Sequence, residues 1–130
     1  MEGSIGESSS GSESAYADYR KGLELLEDGD FAAAKEFLER AAESNPDKSS
    51  VREALGRAYF RLHDFRGAAE EFTAVVERHP VNDFAHFCLG RALSKVGDND
   101  GARHHLALAS NLRPERRDYR TYREQLARAS

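Results

Sequence analysis

Ser49–Asn82 reads SSVREALGRAYFRLHDFRGAAEEFTAVVERHPVN. It carries the frame Arg52-x-x-Leu55-Gly56-x-x-Tyr59, then Ala68-x-x-x-Phe72, then Pro80. Moved back 34 residues, the frame falls on Gly22, Leu25, Ala34, Leu38 and Pro46. Moved forward by the same step, it falls on Leu89, Gly90, Leu93, Ala102, Leu106 and Pro114. All 3 prolines of the chain share one phase. Self-similarity at a fixed spacing of this length marks a stacked array in which one supersecondary unit recurs.

Each residue type has a physical reason for its place. Gly22, Gly56 and Gly90 interrupt helical patterns, where glycine costs about 1 kcal/mol against alanine. Three in phase point to a crossing too close for a side chain, with Ala34, Ala68 and Ala102 as the small residues opposite. Leu25, Tyr59 and Leu93 fill the seam between paired helices from one side. Leu38, Phe72 and Leu106 fill it from the other, at helical spacing from the alanines. Asp30, Asp64 and Asp98 are natural N-caps for the helix that follows. Asn45, His79 and Arg113 precede proline, are pushed out of the α region and end each second helix.

The Leu55-Gly56-x-x-Tyr59 run, the Ala68-x-x-x-Phe72 run and Pro80 resemble the tetratricopeptide repeat (TPR) family. The resemblance covers residues 15–116 and implies an all-α, right-handed solenoid of antiparallel helix pairs, about seven helices in total. Three repeats are expected at 15–48, 49–82 and 83–116, after a disordered Gly/Ser/Glu tail at 1–14. A C-terminal capping helix at 117–130 closes the array. Helices are predicted near 15–27, 32–44, 49–62, 66–78, 83–96, 101–112 and 115–129. The sequence departs from the family where Asp18, Arg52 and His86 replace a large aromatic, and where Asn99 replaces the aromatic seen at Phe31 and Phe65. On the last helix, Tyr119, Tyr122 and Leu126 share one face, and such a stripe can cover the exposed side of a final repeat.

At 130 residues the chain makes one domain. A single cysteine allows no internal disulfide and fits a reducing compartment. No apolar run approaches a membrane span and no signal-peptide pattern opens the chain, so a cytoplasmic location without membrane attachment is expected. Arginine outnumbers lysine 15 to 4, which points to a GC-rich bacterial source. The net charge of −4 is uneven: residues 1–14 carry −3, 15–48 carry −4, 83–116 carry +1 and 117–130 carry +2. Unequal ends of this kind leave homo-oligomerisation open beside ordinary solvated surface. Six arginines between Arg113 and Arg128 raise nucleic-acid binding, but interspersed acids and the overall charge argue against it.

No catalytic motif is present: no Ser-His-Asp spacing, phosphate-cradling glycine loop or HExxH run. His104 and His105 point about 100° apart on a helix and cannot share a metal. His86 and Cys88 are similarly splayed. Cys88 reads as a small, half-buried apolar residue. A non-enzymatic protein with no cofactor and no metal follows.

The resemblance implies that a partner protein's peptide binds in the concave groove lined by the first helix of each pair. The family's groove pattern falls on Tyr16, Tyr19, Arg20, Leu23 and Glu27, then on Ser50, Glu53, Ala54, Arg57 and Arg61 beside Phe60, then on Phe84, Phe87, Cys88, Arg91 and Lys95. Arg57 and Arg61 lie one turn apart, as do Arg91 and Lys95 on the next groove helix, so a basic quadrilateral is expected, flanked by Tyr16, Tyr19, Phe84 and Phe87. An acidic segment with apolar anchors suits it, because arginine forks pair bidentately with carboxylates. The alternative is that the cations complement helix C-termini and that Arg57 pairs with Glu53. Clamp-type TPR domains that hold a C-terminal carboxylate use Lys, Asn, Asn, Lys and Arg where this chain has Tyr19, Leu23, Ala54, Phe84 and Cys88. Recognition of chaperone tails is therefore not expected.

Overall fold

The computed structural model describes residues 2–129, with side chains from residue 13 onward. Seven α-helices and no strand occur among the described residues. They are α1 (Glu2–Asp28), α2 (Phe31–Ser44), α3 (Ser49–Arg61), α4 (Phe65–Arg78), α5 (Asp83–Lys95), α6 (Asn99–Leu112) and α7 (Arg117–Ala129). Each helix packs on the next in sequence, and α1, α3 and α5 also touch one another in order. The result is a right-handed solenoid whose inner wall is made by the odd-numbered helices.

The in-phase glycines mark the tightest crossings. A Cβ on Gly22 would sit 2.5 Å from Leu38 Cγ, one on Gly56 2.8 Å from Phe72 Cε2, and one on Gly90 2.7 Å from Leu106 Cγ. The large residue of the second helix thus lies directly over the bare backbone of the first. Leu38 and Phe72 are 0% and 1% exposed, so neither can withdraw. Burying each such side chain contributes about 1.5–3 kcal/mol. Ala34, Ala68 and Ala102 are fully buried one turn earlier.

The caps follow the expected positions. Asp30, Asp64 and Asp98 accept from the backbone N–H of Ala33, Gly67 and Gly101 at 3.3, 2.9 and 2.9 Å. A Cβ at Gly67 would stand 2.6 Å from Asp64 Oδ2, so glycine there lets the carboxylate close in, while the alanine of the first repeat holds it off. Asn82 caps α5 in the same way, accepting from Ala85 N–H at 3.0 Å. The turn after each first helix needs a positive φ: Gly29 and Gly97 supply it freely, but His63 adopts φ 64° with a side chain.

The polar residues at the departing family position act as staples. Arg52 Nε donates to the Pro46 carbonyl at 2.8 Å, and its Nη1 meets Glu71 Oε1 at 2.8 Å. One repeat on, His86 Nε2 meets the Pro80 carbonyl at 2.8 Å and its Nδ1 lies 3.0 Å from His105 Nδ1. A carbonyl only accepts, so His86 carries its proton on Nε2 and His105 Nδ1–H donates to the His86 Nδ1 lone pair. Asp18, at the same phase in the first repeat, lies 3.8 Å from Arg40.

Two differences from the sequence expectation arise at the ends. The backbone of α1 is helical from Glu2, upstream of the Ala15 start. Ala15 is the first buried residue among those with described side chains. The disordered-tail expectation for 1–14 falls mainly on residues 1–12, whose side chains lie outside the described part, as do Met1 and Ser130 altogether. At the other end α7 starts at Arg117 rather than near 115. Its Tyr119 is fully buried, 4.6 Å from the Phe87 ring, and Leu126 joins the same cluster.

Candidate functional site

The concave face holds a cavity of about 180 Å³ that spans all three helix pairs. Leu26 and Phe31 wall it from the first pair, Phe60 and Phe72 from the second, and Phe84, Phe87 and Cys88 from α5. Arg57, Arg61 and Arg91 stand around it. A second hollow of about 360 Å³ adjoins it, sharing Phe60, Arg61 and Arg91 and adding His63, Phe65 and Lys95. A third, about 300 Å³, lies between α5 and α7 and is lined by Arg91, Lys95, Tyr122 and Leu126 among others.

Three of the four groove cations rest on aromatic rings. Arg61 stacks on the Phe31 ring with its guanidinium carbon 4.3 Å from the centroid. Arg91 lies 4.8 Å from the Phe60 centroid and 4.6 Å from that of Tyr122. The Lys95 ammonium is 5.8 Å from the Phe65 centroid. Such contacts contribute about 0.5–1 kcal/mol each at exposed sites. No carboxylate of the described residues is within ion-pair distance of Arg57, Arg61, Arg91 or Lys95. The Glu53–Arg57 pair weighed as the alternative does not form; Glu53 is met instead by Asn82 Nδ2 at 3.5 Å.

Arg57, Arg61, Phe84, Phe87 and Arg91 therefore line one cavity, and Lys95 joins Arg61 and Arg91 in the next hollow. Tyr16, Tyr19 and Leu23 line neither. Tyr16 is 62% exposed and pairs only loosely with Arg20, at 6.0 Å, while Tyr19 and Leu23 pack against the first core cluster. Phe87 is not an open aromatic face: Tyr119 and Tyr122 of α7 cover it, leaving 5% exposed. The aromatics beside the cations also include Phe31, Phe60, Phe65 and Tyr122, while Phe87 touches Arg91 at 5.7 Å. Phe31 and Phe65 open the second helices, and the separation of 30 residues from each to its cation (Arg61, Lys95) was the signal that would have found them.

Burial pushes the Cys88 thiol up to about 12, with Glu53 adding to the effect and Arg91 and Arg57 partly opposing it. The thiol is protonated at neutral pH and is no nucleophile. His105 is drawn down to about 4 by burial, then by the His86 and His104 rings, against a smaller pull from Asp98. Among the described residues no three His, Cys, Asp or Glu side chains are placed to hold a metal, and no helix is long and apolar enough to cross a membrane.

A family model described as "Tetratricopeptide repeat" matches residues 19–83 and 53–109. No curated protein matches the chain. Among solved structures, the chain is similar to the first TPR of Spaghetti (RPAP3) bound to the HSP90 peptide SRMEEVD, with TM-score 0.84, 18% identity, and coverage of 90% of this chain and 93% of that one. It is similar to MamA 41-end from Desulfovibrio magneticus RS-1, with TM-score 0.84, 20% identity, and coverage of 86% and 63%. It is also similar to the Arabidopsis OM64 TPR domain, with TM-score 0.83, 18% identity, and coverage of 88% and 94%. At these identities the likeness is one of fold, and the chain spans about 63% of the MamA chain. The helix-pair frame and the family match across residues 19–109 together place the chain in the tetratricopeptide repeat family, whose fold serves as a protein-interaction module.

Proposed function

We propose that the chain is a non-catalytic adaptor that holds an extended segment of a partner protein along its concave face. One apolar side chain enters the cavity beneath Phe31, Phe60 and Phe84, and acidic groups beside it meet Arg57 and Arg91. The observation that carries this reading is the unbalanced charge: Arg57, Arg61 and Arg91 ring an apolar cavity with no carboxylate partner, in a chain of net charge −4. Tyr16, Tyr19 and Leu23 on α1 and Glu53 on α3 lie outside both hollows and would meet only the flanks of the bound segment. A bacterial cytoplasm suits the lone thiol and the arginine-rich composition.

The HSP90-tail mode of the RPAP3 domain is not carried over. Ala54 is 2% exposed, Cys88 is a protonated thiol, Tyr19 and Phe84 offer no cation, and Leu23 offers no amide at the remaining clamp places. The test is retention of a degenerate peptide library on immobilised protein. The native chain is expected to retain acidic sequences with an apolar anchor, and Arg57→Glu combined with Arg91→Glu to retain none at unchanged helicity. Equal retention by both proteins moves the site off this face.

A second reading, self-association through unequal ends, draws on the exposed Arg120, Arg123 and Arg128 of α7 and the −4 charge of residues 15–48. Under it, the mass seen by light scattering rises with concentration and falls with added salt. A constant monomer mass removes it.

A further inference from the structure

We infer that the hollow at the C-terminal ends of α3 and α5 receives a phosphoryl group, so that the partner segment is a phosphopeptide whose apolar side chain fills the neighbouring cavity. This rests on the groove reading above and specifies its ligand.

Four groups able to carry positive charge, Arg61, Arg91, Lys95 and His63, line the hollow with Phe60 and Phe65, and no acid is among the lining residues. The hollow beside Pro46, by contrast, sets Asp47 and Glu77 against Arg52 and Arg78, and the one lined by Glu39, Glu43 and Glu71 holds Arg52 alone. The macrodipole explains a cation in a last helical turn, where it contributes about 0.3–1 kcal/mol, but the effect fades inward. It therefore accounts for Arg61 and Lys95 and not for Arg91, one turn further in. The helix ends do not consume the cations either. Tyr59 O accepts from Asp64 N–H at 2.8 Å, and Leu93 O from Asp98 N–H at 2.9 Å. The Asp64 and Asp98 carboxylates are turned away to cap Gly67 and Gly101.

Stacking prepares these cations for an anion. A guanidinium on a ring uses its flat face and leaves its in-plane N–H edge to fork an oxyanion. Holding Arg61 on Phe31 and Arg91 between Phe60 and Tyr122 also limits the entropy lost on binding. A lone carboxylate offers one charge and two oxygens to three permanent cations. A phosphoryl group offers about −1.5 to −2 and three acceptor oxygens, the closer match. A bilayer headgroup is a poorer occupant, because the adjoining apolar cavity of about 180 Å³ is sized for a side chain and not for an acyl layer.

The experiment uses degenerate peptide libraries with a fixed central phosphoserine, phosphothreonine or phosphotyrosine, beside one with central glutamate, on the full chain. At least one phosphorylated library is expected to be retained about tenfold more strongly than the glutamate library. Arg61→Glu with Lys95→Glu is expected to erase that preference, and the milder Lys95→Gln to reduce it, with the far-ultraviolet spectrum unchanged. Equal retention of the glutamate library overturns the phosphoryl inference and leaves the groove reading standing. Retention of no library sinks both. Capture of a single-stranded oligonucleotide or phosphatidylserine vesicles in place of the peptides also overturns the inference.

Discussion

The Tyr119 hydroxyl donates to Asp83 Oδ2 at 2.7 Å, joining the final helix to the first residue of α5. Arg113 Nε approaches the other oxygen of the same carboxylate at 3.5 Å. Burial and the Asp83 contact hold the phenol above its ordinary pKa, so it remains a donor at every physiological pH. Tyr119→Phe keeps the ring on Phe87 and removes this bond, for an expected loss of about 1 kcal/mol. Tyr119→Ala removes the only buried side chain of α7, for about 3–5 kcal/mol. Limited proteolysis should then cut α7 while the other helices persist; an α7 as resistant as in the native chain would show that its anchor lies elsewhere.

Gly56→Ala tests the helix crossing. Helix propensity alone favours the change by about 1 kcal/mol. The new methyl would stand 2.8 Å from a Phe72 ring that has no room to move, and overpacking of that kind costs about 1–3 kcal/mol. Chemical denaturation should therefore show a net loss of stability. A gain would mean that the helix pair separates readily.

His63 is the one non-glycine residue with positive φ among those described, where the other two repeats use glycine. The left-handed conformation costs a side-chain residue about 1–2 kcal/mol. Glycine gives part of that back through its greater freedom when unfolded, and His63→Gly also gives up the stack on Phe65, at 5.4 Å. The expected balance is a stabilisation of about 0.5 kcal/mol, read as a higher denaturation midpoint.

Burial of His105, with the His86 ring against it, makes the fold acid-sensitive. His105 has its pKa lowered from 6.5 to about 4, so between these values the unfolded chain binds a proton that the folded chain refuses. Its contribution is fully present above about pH 6.5 and fades as pH falls toward 4. Thermal melts should show the midpoint dropping across that window. His86→Arg with His105→Glu installs the Arg52–Glu71 pair of the preceding repeat and should flatten the drop between pH 7 and 5. An unchanged slope would assign the acid sensitivity to other groups.

The periodic part of this structure was legible because its causes are local. Proline stops, aspartate caps and glycine crossings act within one unit, so Asp30, Asp64, Asp98, Gly22, Gly56 and Gly90 announce their roles at fixed phase. The remaining contacts run between helices and leave no trace in any one of them. His86 and His105 lie 19 residues apart on different helices. Phe87 reads as a groove aromatic until α7 is laid over it. The alternative pairing of Glu53 with Arg57 follows from one helix considered alone, and the actual partner of Glu53 is Asn82, from the loop before α5.

Arg61 on Phe31 and Lys95 on Phe65 are one contact made twice, each linking a helix pair to the pair before it. The third junction has no counterpart, because Asn99 and Ala129 occupy the equivalent phases. The side chains that give the inner wall its charge thus also touch across the first two junctions. A ligand that draws either cation off its ring gives up about 0.5–1 kcal/mol of contact between neighbouring pairs, a cost set against whatever it gains from the charge.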